Sequence, residues 1–309
     1  MQRNTLNLLI VLVVVFFVFG CFCRSDRGFQ DESPTNSSTA ANQSNSQIGQ
    51  TKSGKTFPGG NSDSAPLANK NSGDKKSDDG DFIVRELPVD NPRYDEIDRQ
   101  LRQEKVLESA AAQFNQALAL PFDISLQSKS CGEVNAFYNP NDHSITVCYE
   151  LMEYYYKLFK AAGQSDDEAS DNMSNAVRFA FLHEVGHALI DAYKLPVMGN
   201  EEDAADRCSA YISLEEIQDG VKYVMAAADA FSIESKLSDS SKRNMADEHL
   251  LGEQRFYNSL CMIYGSNPNK YAGIVSNGYL PEARAVRCPS EYERNIQSWR
   301  DLLKPWRKD

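Results

Sequence analysis

The chain has 309 residues and a formal net charge of -12 at pH 7. An acidic chain without a stretch rich in lysine and arginine argues against binding of nucleic acid through its phosphates. The length allows one or two ordinary domains, and we expect the folded part to be a monomer.

Residues 1–23 are predicted to be a signal peptide or a lipoprotein anchor. An unbroken apolar run of 12 residues, from Leu8 to Phe19, is typical of signal peptides and is short for a bilayer span, which needs about 20 residues. The run ends at Gly20-Cys21, which resembles a bacterial lipoprotein processing site with Cys21 as the lipid-bearing residue. A simple signal peptide and an uncleaved anchor are the alternatives. We therefore expect an exported, membrane-anchored protein that faces the periplasm or the cell exterior.

Residues 24–80 are rich in Ser, Asn, Gly, Asp, Lys and Thr, and they contain only two aromatic residues, Phe29 and Phe57. Such a segment buries too little apolar surface to offset the entropy lost on ordering. It is predicted to be a disordered linker that holds the domain away from the membrane. The predicted catalytic domain comprises residues 81–309.

The domain is predicted to contain a small sheet followed by many helices. Pro92–Ala119 has an apolar stripe of helical period. Phe122–Gln127 alternates like a strand, and Asn135–Tyr138 and Ser144–Cys148 flank a turn, which predicts a hairpin. Further helices are predicted at residues 150–162, 172–192, 201–213, 215–231, 247–264 and 291–303. This order of elements indicates an α+β domain in which a small sheet with a hairpin packs on helices.

Five cysteines in the predicted domain fit an exported protein. Cys131 and Cys148 bracket the hairpin, and Cys261 and Cys288 bracket a region rich in Gly, Pro and Asn. Disulfides within these two pairs would leave Cys208 on a predicted helix, where a buried thiol is expected.

The segment His183-Glu184-Val185-Gly186-His187 is the strongest indication of a metal site in the sequence. Residues four apart on a helix are neighbours, so the imidazoles of His183 and His187 can bind one zinc ion. Glu184 shares their face, where it can take a proton from a water molecule whose pKa the zinc lowers. Ser174 or Asn172 is the expected N-cap of this helix. The alternative is a core helix with two ordinary histidines.

A catalytic zinc ion usually has three protein ligands, so a third ligand is expected downstream. Glu202 and Asp206 lie four apart on the next predicted helix. We expect Glu202 to bind zinc and Asp206 to accept a hydrogen bond from the outer nitrogen of a liganding histidine. Glu201 is the alternative ligand, although an acidic first turn is also favoured by the helix dipole. In the preferred register, Glu201 faces solvent or the helix N-terminus.

These motifs resemble the gluzincin class of zinc peptidases, in which HExxH is followed by a glutamate and, four residues later, an aspartate. Residues 114–292 are also similar to a bacterial family of metallopeptidases whose substrate is unknown. That similarity includes Cys131-Gly132, Asn135-Ala136-Phe137-Tyr138, Cys148-Tyr149-Glu150, Asp247-Glu248-His249, Gln254-Arg255-Phe256, Cys288 and Glu291-Tyr292. The resemblance implies a compact zincin-like fold of gluzincin type, with a sheet edge beside the active-site helix.

Three further features remain open at this point. Asn135–Tyr138 is the candidate for the sheet edge, where a peptide could add as an extra strand, or it is an ordinary hairpin strand. His249 could stabilise the oxyanion of the reaction, or it is structural. His143, in the hairpin turn, is expected to be exposed to solvent.

The sequence therefore predicts zinc-dependent hydrolysis of a peptide or protein substrate. His183, His187 and Glu202 are the expected metal ligands, and Glu184 is the expected general base. The alternative is a non-catalytic surface lipoprotein that binds zinc or a partner. An intact Glu184 and the lack of an obvious fourth ligand favour the enzyme.

Overall fold

A computed structural model of the protein describes residues 77–237 and 248–308. The predicted signal peptide or anchor, residues 1–23, lies outside the described residues, as does the predicted linker up to residue 76. Gly80 already belongs to the fold, because its backbone N–H donates to the Leu120 carbonyl at 3.0 Å. Within the described ranges, no helix combines the length and the apolar character needed to cross a membrane.

Four short strands form one mixed sheet in the order β1-β2-β4-β3. Strands β1 (Phe82–Val84), β2 (Ile124–Lys129) and β4 (Ser144–Cys148) are parallel, and β3 (Ala136–Asn139) pairs antiparallel with β4. The two central strands, β2 and β4, are almost wholly buried, as parallel strands covered on both faces are. The predicted hairpin is thus confirmed, and β3 forms one edge of the sheet.

Helices make up most of the described residues, which agrees with the predicted α+β class. The longest is α4, which has 28 residues and packs against α3, α5, α6 and the sheet at β3 and β4. The α-helices are α1 (Asp95–Gln103), α2 (Val106–Ala117), α3 (Tyr149–Ala161), α4 (Asp166–Tyr193), α5 (Glu201–Tyr211), α6 (Val221–Leu237), α7 (Gly252–Ser266), α8 (Gly273–Ser276), α9 (Glu282–Ala285) and α10 (Cys288–Leu303). A π-helical turn, Ile212–Glu216, follows α5.

The prediction of one continuous helix over Pro92–Ala119 is wrong. The segment begins with a 3-10 turn and then divides into α1 and α2 at Lys105, whose φ is 50°. A residue in the left-handed region cannot continue a right-handed helix. The chain therefore changes direction there, although the apolar period runs through the break.

The active-site helix α4 also begins earlier than predicted. Its N-cap is Ser165, which forms a capping box with Glu168, so neither Asn172 nor Ser174 is the cap. The first turn, residues 166–168, is acidic and exposed, and the apolar period that guided the prediction starts only later. The capping pattern Ser-x-x-Glu was the signal that marks the true start.

Both predicted disulfides are present. Cys131–Cys148 closes the base of the hairpin, and Cys261–Cys288 joins α7 to the first residue of α10. Cys208 is free and buried, as predicted. The first disulfide fixes the segment that leads into the edge strand β3.

Candidate metal centre

Helices α4 and α5 bring the two histidines of the HExxH motif to Glu202. His183 Nε2 lies 3.0 Å from Glu202 Oε2 and 3.1 Å from His187 Nε2. His187 Nε2 lies 3.4 Å from Glu202 Oε1. The three side chains thus point one ligand atom each at a common centre, and these atoms all lie within 4.8 Å of one another.

Each imidazole is held from behind by its own carboxylate. His183 Nδ1 donates to Asp206 Oδ1 at 2.8 Å, and His187 Nδ1 donates to Glu201 Oε1 at 2.9 Å. The expectation that Glu201 faces solvent or the helix N-terminus is therefore wrong, because α5 starts close enough to α4 for Glu201 to reach His187. With a proton on Nδ1, each ring presents the lone pair of Nε2 to the common centre.

The donor set fits a divalent metal ion. Two ligand atoms that bind one tetrahedral zinc ion at about 2.0–2.1 Å are separated from each other by about 3.3 Å. Here the two Nε2 atoms are 3.1 Å apart, Glu202 Oε2 lies 3.0 Å from His183 Nε2, and Glu202 Oε1 lies 3.4 Å from His187 Nε2. Two nitrogen lone pairs and a carboxylate at this spacing repel one another unless a proton or a metal ion lies between them. Two imidazoles and one carboxylate are a common ligand set for catalytic zinc.

The charges around the centre also favour a bound cation. Burial alone would lower the pKa of His183, but its hydrogen bonds with Asp206 and Glu202 outweigh burial and raise the pKa to about 9. Burial would raise the pKa of Glu202, yet hydrogen bonds from three imidazoles hold that pKa far below its usual range. The surrounding negative charge thus favours a positive charge at the centre, and a metal ion competes with protons for this position.

Glu184 is buried beside the two imidazoles and hydrogen-bonded to the edge strand. The backbone N–H of Tyr138 in β3 donates to Glu184 Oε2 at 2.9 Å. Burial raises the pKa of the Glu184 carboxyl, and the nearby charges of His183 and His187 lower it less than burial raises it. Its carboxylate therefore accepts a proton more readily than a solvated glutamate would.

Tyr138 attaches the edge strand to α4 at two points. Besides its N–H contact with Glu184, its hydroxyl donates to Asp191 Oδ2 at 2.7 Å and lies 3.0 Å from His143 Nδ1. His143 also stacks on Phe122, with ring centroids 3.9 Å apart. His143 is thus partly buried, with its side chain 36% exposed, so the prediction that it is exposed to solvent holds only in part. Its role is to pack the turn of the hairpin against the strand and the helix.

Gly186 allows the close crossing of α4 and α5 that forms the centre. A Cβ atom at this position would lie 3.0 Å from Ala205 Cα and 3.1 Å from Cys208 Cβ. Both contacts are tighter than ordinary van der Waals distances, so a larger residue would push the two helices apart. Gly186 and the small residues of α5 therefore set the distance from the histidines to Glu202.

His249 reaches the same centre from the segment that precedes α7. Its Nε2 lies 2.8 Å from Glu202 Oε2, and its ring stacks on that of His183. Asn200 supports this position: its Oδ1 caps α5 by accepting from the Glu202 N–H, and its Nδ2 donates to the Glu248 carbonyl at 2.6 Å. The site thus contains a third imidazole next to the expected metal ligands.

The comparison with protein families agrees with this geometry. Residues 87–303 match the model of the DUF4344 family, which is described as "Putative metallopeptidase". The chain belongs to this family. The matched residues contain the whole candidate metal centre, from Tyr138 through Arg255. No curated protein and no solved structure matches the chain.

The sequence did not predict the roles of three residues that the DUF4344 chain places around the centre. They are Tyr138, which contacts Glu184, Glu201, which contacts His187, and Arg255, which binds Asp206. For Glu201, the available signal was the run of acidic residues at the start of α5. Tyr138 and Arg255 lie on other elements, and nothing in their local sequence indicates which helix they meet.

Proposed function

We propose that the protein is a zinc-dependent peptidase with a zincin-like fold of gluzincin type. His183, His187 and Glu202 bind the ion, and Glu184 is the general base. The observation that carries this proposal is the convergence of the two Nε2 atoms and the Glu202 carboxylate, with the buried Glu184 carboxylate beside them. The family description supports a metal-dependent hydrolase in general terms.

The chemistry that a bound zinc ion supplies is a lowered pKa for a water molecule and polarisation of a substrate carbonyl. Glu184 takes the proton of the attacking water and then gives it to the leaving amine. Tyr138 keeps Glu184 in place through its backbone N–H. We also propose that His249, whose Nε2 lies beside Glu202 at the same centre, donates a hydrogen bond to the negative charge that develops on the carbonyl oxygen.

The edge strand β3 is the proposed binding site for the peptide. Asn135 and Cys148 form a hydrogen-bonded pair at the end of the hairpin, where the Cys148 N–H donates to the Asn135 carbonyl. In an antiparallel ladder, Ala136 and Tyr138 then direct their main-chain groups away from β4. The Tyr138 N–H already donates to Glu184, but an extended peptide can pair with the remaining outward groups, such as the Tyr138 carbonyl, as an additional strand. The contact between Tyr138 and Glu184 brings that strand directly beside the general base.

A purely structural or partner-binding zinc site is the alternative. Such a site usually has four protein ligands and does not need a base. Of the two groups of close ligand atoms in the described part of the chain, the one at this centre comprises His183, His187 and Glu202, and His249 lies against Glu202 as a neighbour rather than as a member. The buried Glu184 carboxylate also lies beside the centre, where a structural site would need no base. Both observations favour the enzyme.

We further propose that the domain acts outside the cytoplasm, where an N-terminal anchor attaches it to a membrane. The two disulfides support this location, because disulfides persist in oxidising compartments. The proposed partners are a peptide or protein substrate and the membrane that holds the anchor, and the proposed state is a monomer.

Replacing the base tests the function directly. We expect full-length Glu184→Gln to bind zinc like the wild type but to cleave a mixture of unstructured peptides about 10²–10⁴-fold more slowly, because an amide cannot accept the proton. Cleavage products are measured by mass spectrometry, with and without a chelator. Glu168→Gln is the matched control, because it makes the same change in the exposed first turn of the same helix. Wild-type rates for Glu184→Gln would refute the assignment of the base.

A further inference from the structure

Arg255 binds Asp206 with two parallel hydrogen bonds, although the proposed reaction does not use it. Arg255 Nε donates to Asp206 Oδ2 and Nη2 donates to Oδ1, both at 2.8 Å. The arginine side chain is only 17% exposed, and its guanidinium carbon lies 4.0 Å from the centroid of the Phe231 ring. A planar, two-point contact of this kind fixes the direction of a carboxylate, which a point charge does not.

The orientation of the Asp206 carboxylate in turn fixes the orientation of the His183 ring. Its Oδ1, which accepts from Arg255, also accepts from His183 Nδ1 at 2.8 Å. A ring held at Nδ1 must present Nε2 on its far side, and there His183 Nε2 meets Glu202 and His187 at 3.0 and 3.1 Å. The three residues thus form a continuous chain from α7 through α5 to α4.

We propose that Arg255 is a positioning residue for the metal centre: it holds the Asp206 carboxylate in the orientation that turns His183 Nε2 towards the metal. This inference rests on the proposed zinc site. Without Arg255, the Asp206 carboxylate would be buried without a cation and free to rotate about its side-chain bonds. His183 would then keep its place on α4 but lose the contact that fixes its ring.

If the Arg255–Asp206 ion pair were only structural, its loss would lower stability without changing metal binding. A second ion pair in the chain serves as a matched control. Arg284 binds Glu291 in the same two-point manner, at 2.8 and 2.7 Å, and is similarly buried, with its side chain 20% exposed. This pair connects α9 to α10 and touches no residue of the metal centre. Loss of either pair can lower stability, but only loss of Arg255 is expected to change metal binding.

The test measures zinc affinity of the full-length chain by competition with a chelator, together with the absorption spectrum of the cobalt-substituted protein. We expect Arg255→Met to weaken zinc binding about 10–100-fold and to change the cobalt spectrum, as loss of a contact behind a ligand does. Arg284→Met should bind zinc within about twofold of the wild type, since Glu291 lies outside the ligand chain. Arg255→Lys keeps the charge but not the two-point contact, so it should also bind zinc more weakly. If Arg255→Met does not fold, Arg255→Lys decides the question.

A double variant tests whether Arg255 acts on the metal centre through Asp206. Once Asp206→Asn has been made, adding Arg255→Met should weaken zinc binding little further, because both changes break the same chain. The role of Arg255 is overturned if its folded variants bind zinc like the wild type, if Arg284→Met weakens binding equally, or if the two losses simply add. In each of those outcomes wild-type zinc binding persists, so the proposed function stands. If the wild-type chain binds no zinc, both proposals fail.

Discussion

At the scale of single residues, the carboxylates of α5 occupy three different positions around the two imidazoles. Glu202 faces both Nε2 atoms, whereas Asp206 and Glu201 each hold the Nδ1 atom of one ring. Asp206 is buried and tied to Arg255, while the Glu201 side chain is 52% exposed. These positions predict unequal contributions to metal binding.

Alanine substitutions along α5 test this order. Glu202→Ala should weaken zinc binding most, by about 100-fold or more, because it removes a proposed ligand. Asp206→Ala should follow at about 10–100-fold, and Glu201→Ala should lie at the lower end of that range, because the exposed carboxylate is replaced in part by water. Zinc titrations under one buffer condition compare the three variants.

The control for this series is Asp203→Ala. Asp203 lies on the same helix, but its carboxylate contacts Arg207 and Asn258 rather than a histidine. Its loss should leave zinc affinity unchanged. The assignment of the third ligand is wrong if Glu201→Ala loses the metal while Glu202→Ala retains it.

The sequence predicted those contacts of the site that depend only on the spacing of residues along one helix. The i, i+4 spacing of His183 and His187 already places both rings together. The choice of Glu202 over Glu201 used only the expected helical register, and the structure puts both glutamates in contact with the histidines. Tyr138 and Arg255 were not predictable, because their contacts depend on how a strand and a distant helix pack against α4 and α5.

At the scale of the elements, the crossing of α4 and α5 determines the metal centre. At Gly186 the helices lie so close that a Cβ atom there would come within 3.0 Å of Ala205 and 3.1 Å of Cys208. Since α4 carries the histidines and α5 carries Glu202, a change in the separation of the two helices changes both histidine–Glu202 distances at once. The packing of two helices and the chemistry of the site are therefore coupled at one glycine.

Replacing Gly186 by a larger residue should lower both the stability of the protein and its affinity for zinc. We expect Gly186→Val to destabilise the protein by about 1–3 kcal/mol through overpacking, and to weaken zinc binding because α5 must move away. Thermal unfolding and zinc titration measure the two effects. Gly273→Val is the control, because an added Cβ there meets only the Asn277 side chain, at 3.8 Å. A Gly186→Val variant with wild-type stability and affinity would contradict this account of the crossing.

The elements themselves were predictable where short-range signals were strong. The turn between β3 and β4 and the alternation of β2 gave the hairpin and a central strand, and the cysteine positions gave both disulfides. The break at Lys105 was missed because its cause is a single backbone conformation, not a change of apolar period. The first strand, Phe82–Val84, was missed because three residues are too short for any period to show.

At the scale of the whole molecule, the described residues form a mainly helical domain with a small sheet, whose edge strand lies beside the HExxH helix. The elements that meet at the centre come from distant parts of the sequence: β3, α4, α5 and α7. Two disulfides fix two of these elements, one at the base of β3 and one in α7. Such a frame can hold the ligands in place before the metal binds, which supports tight and specific binding.

The most direct test of the central claim is the zinc content of the purified full-length chain, measured by elemental analysis. We predict about one zinc ion per wild-type chain and almost none in the His183→Ala/His187→Ala double variant, because a single remaining carboxylate binds zinc poorly. His143→Ala is the matched control and should keep its zinc, since His143 contacts Tyr138 and Phe122 outside the ligand group. Full zinc occupancy in the double variant would contradict the account.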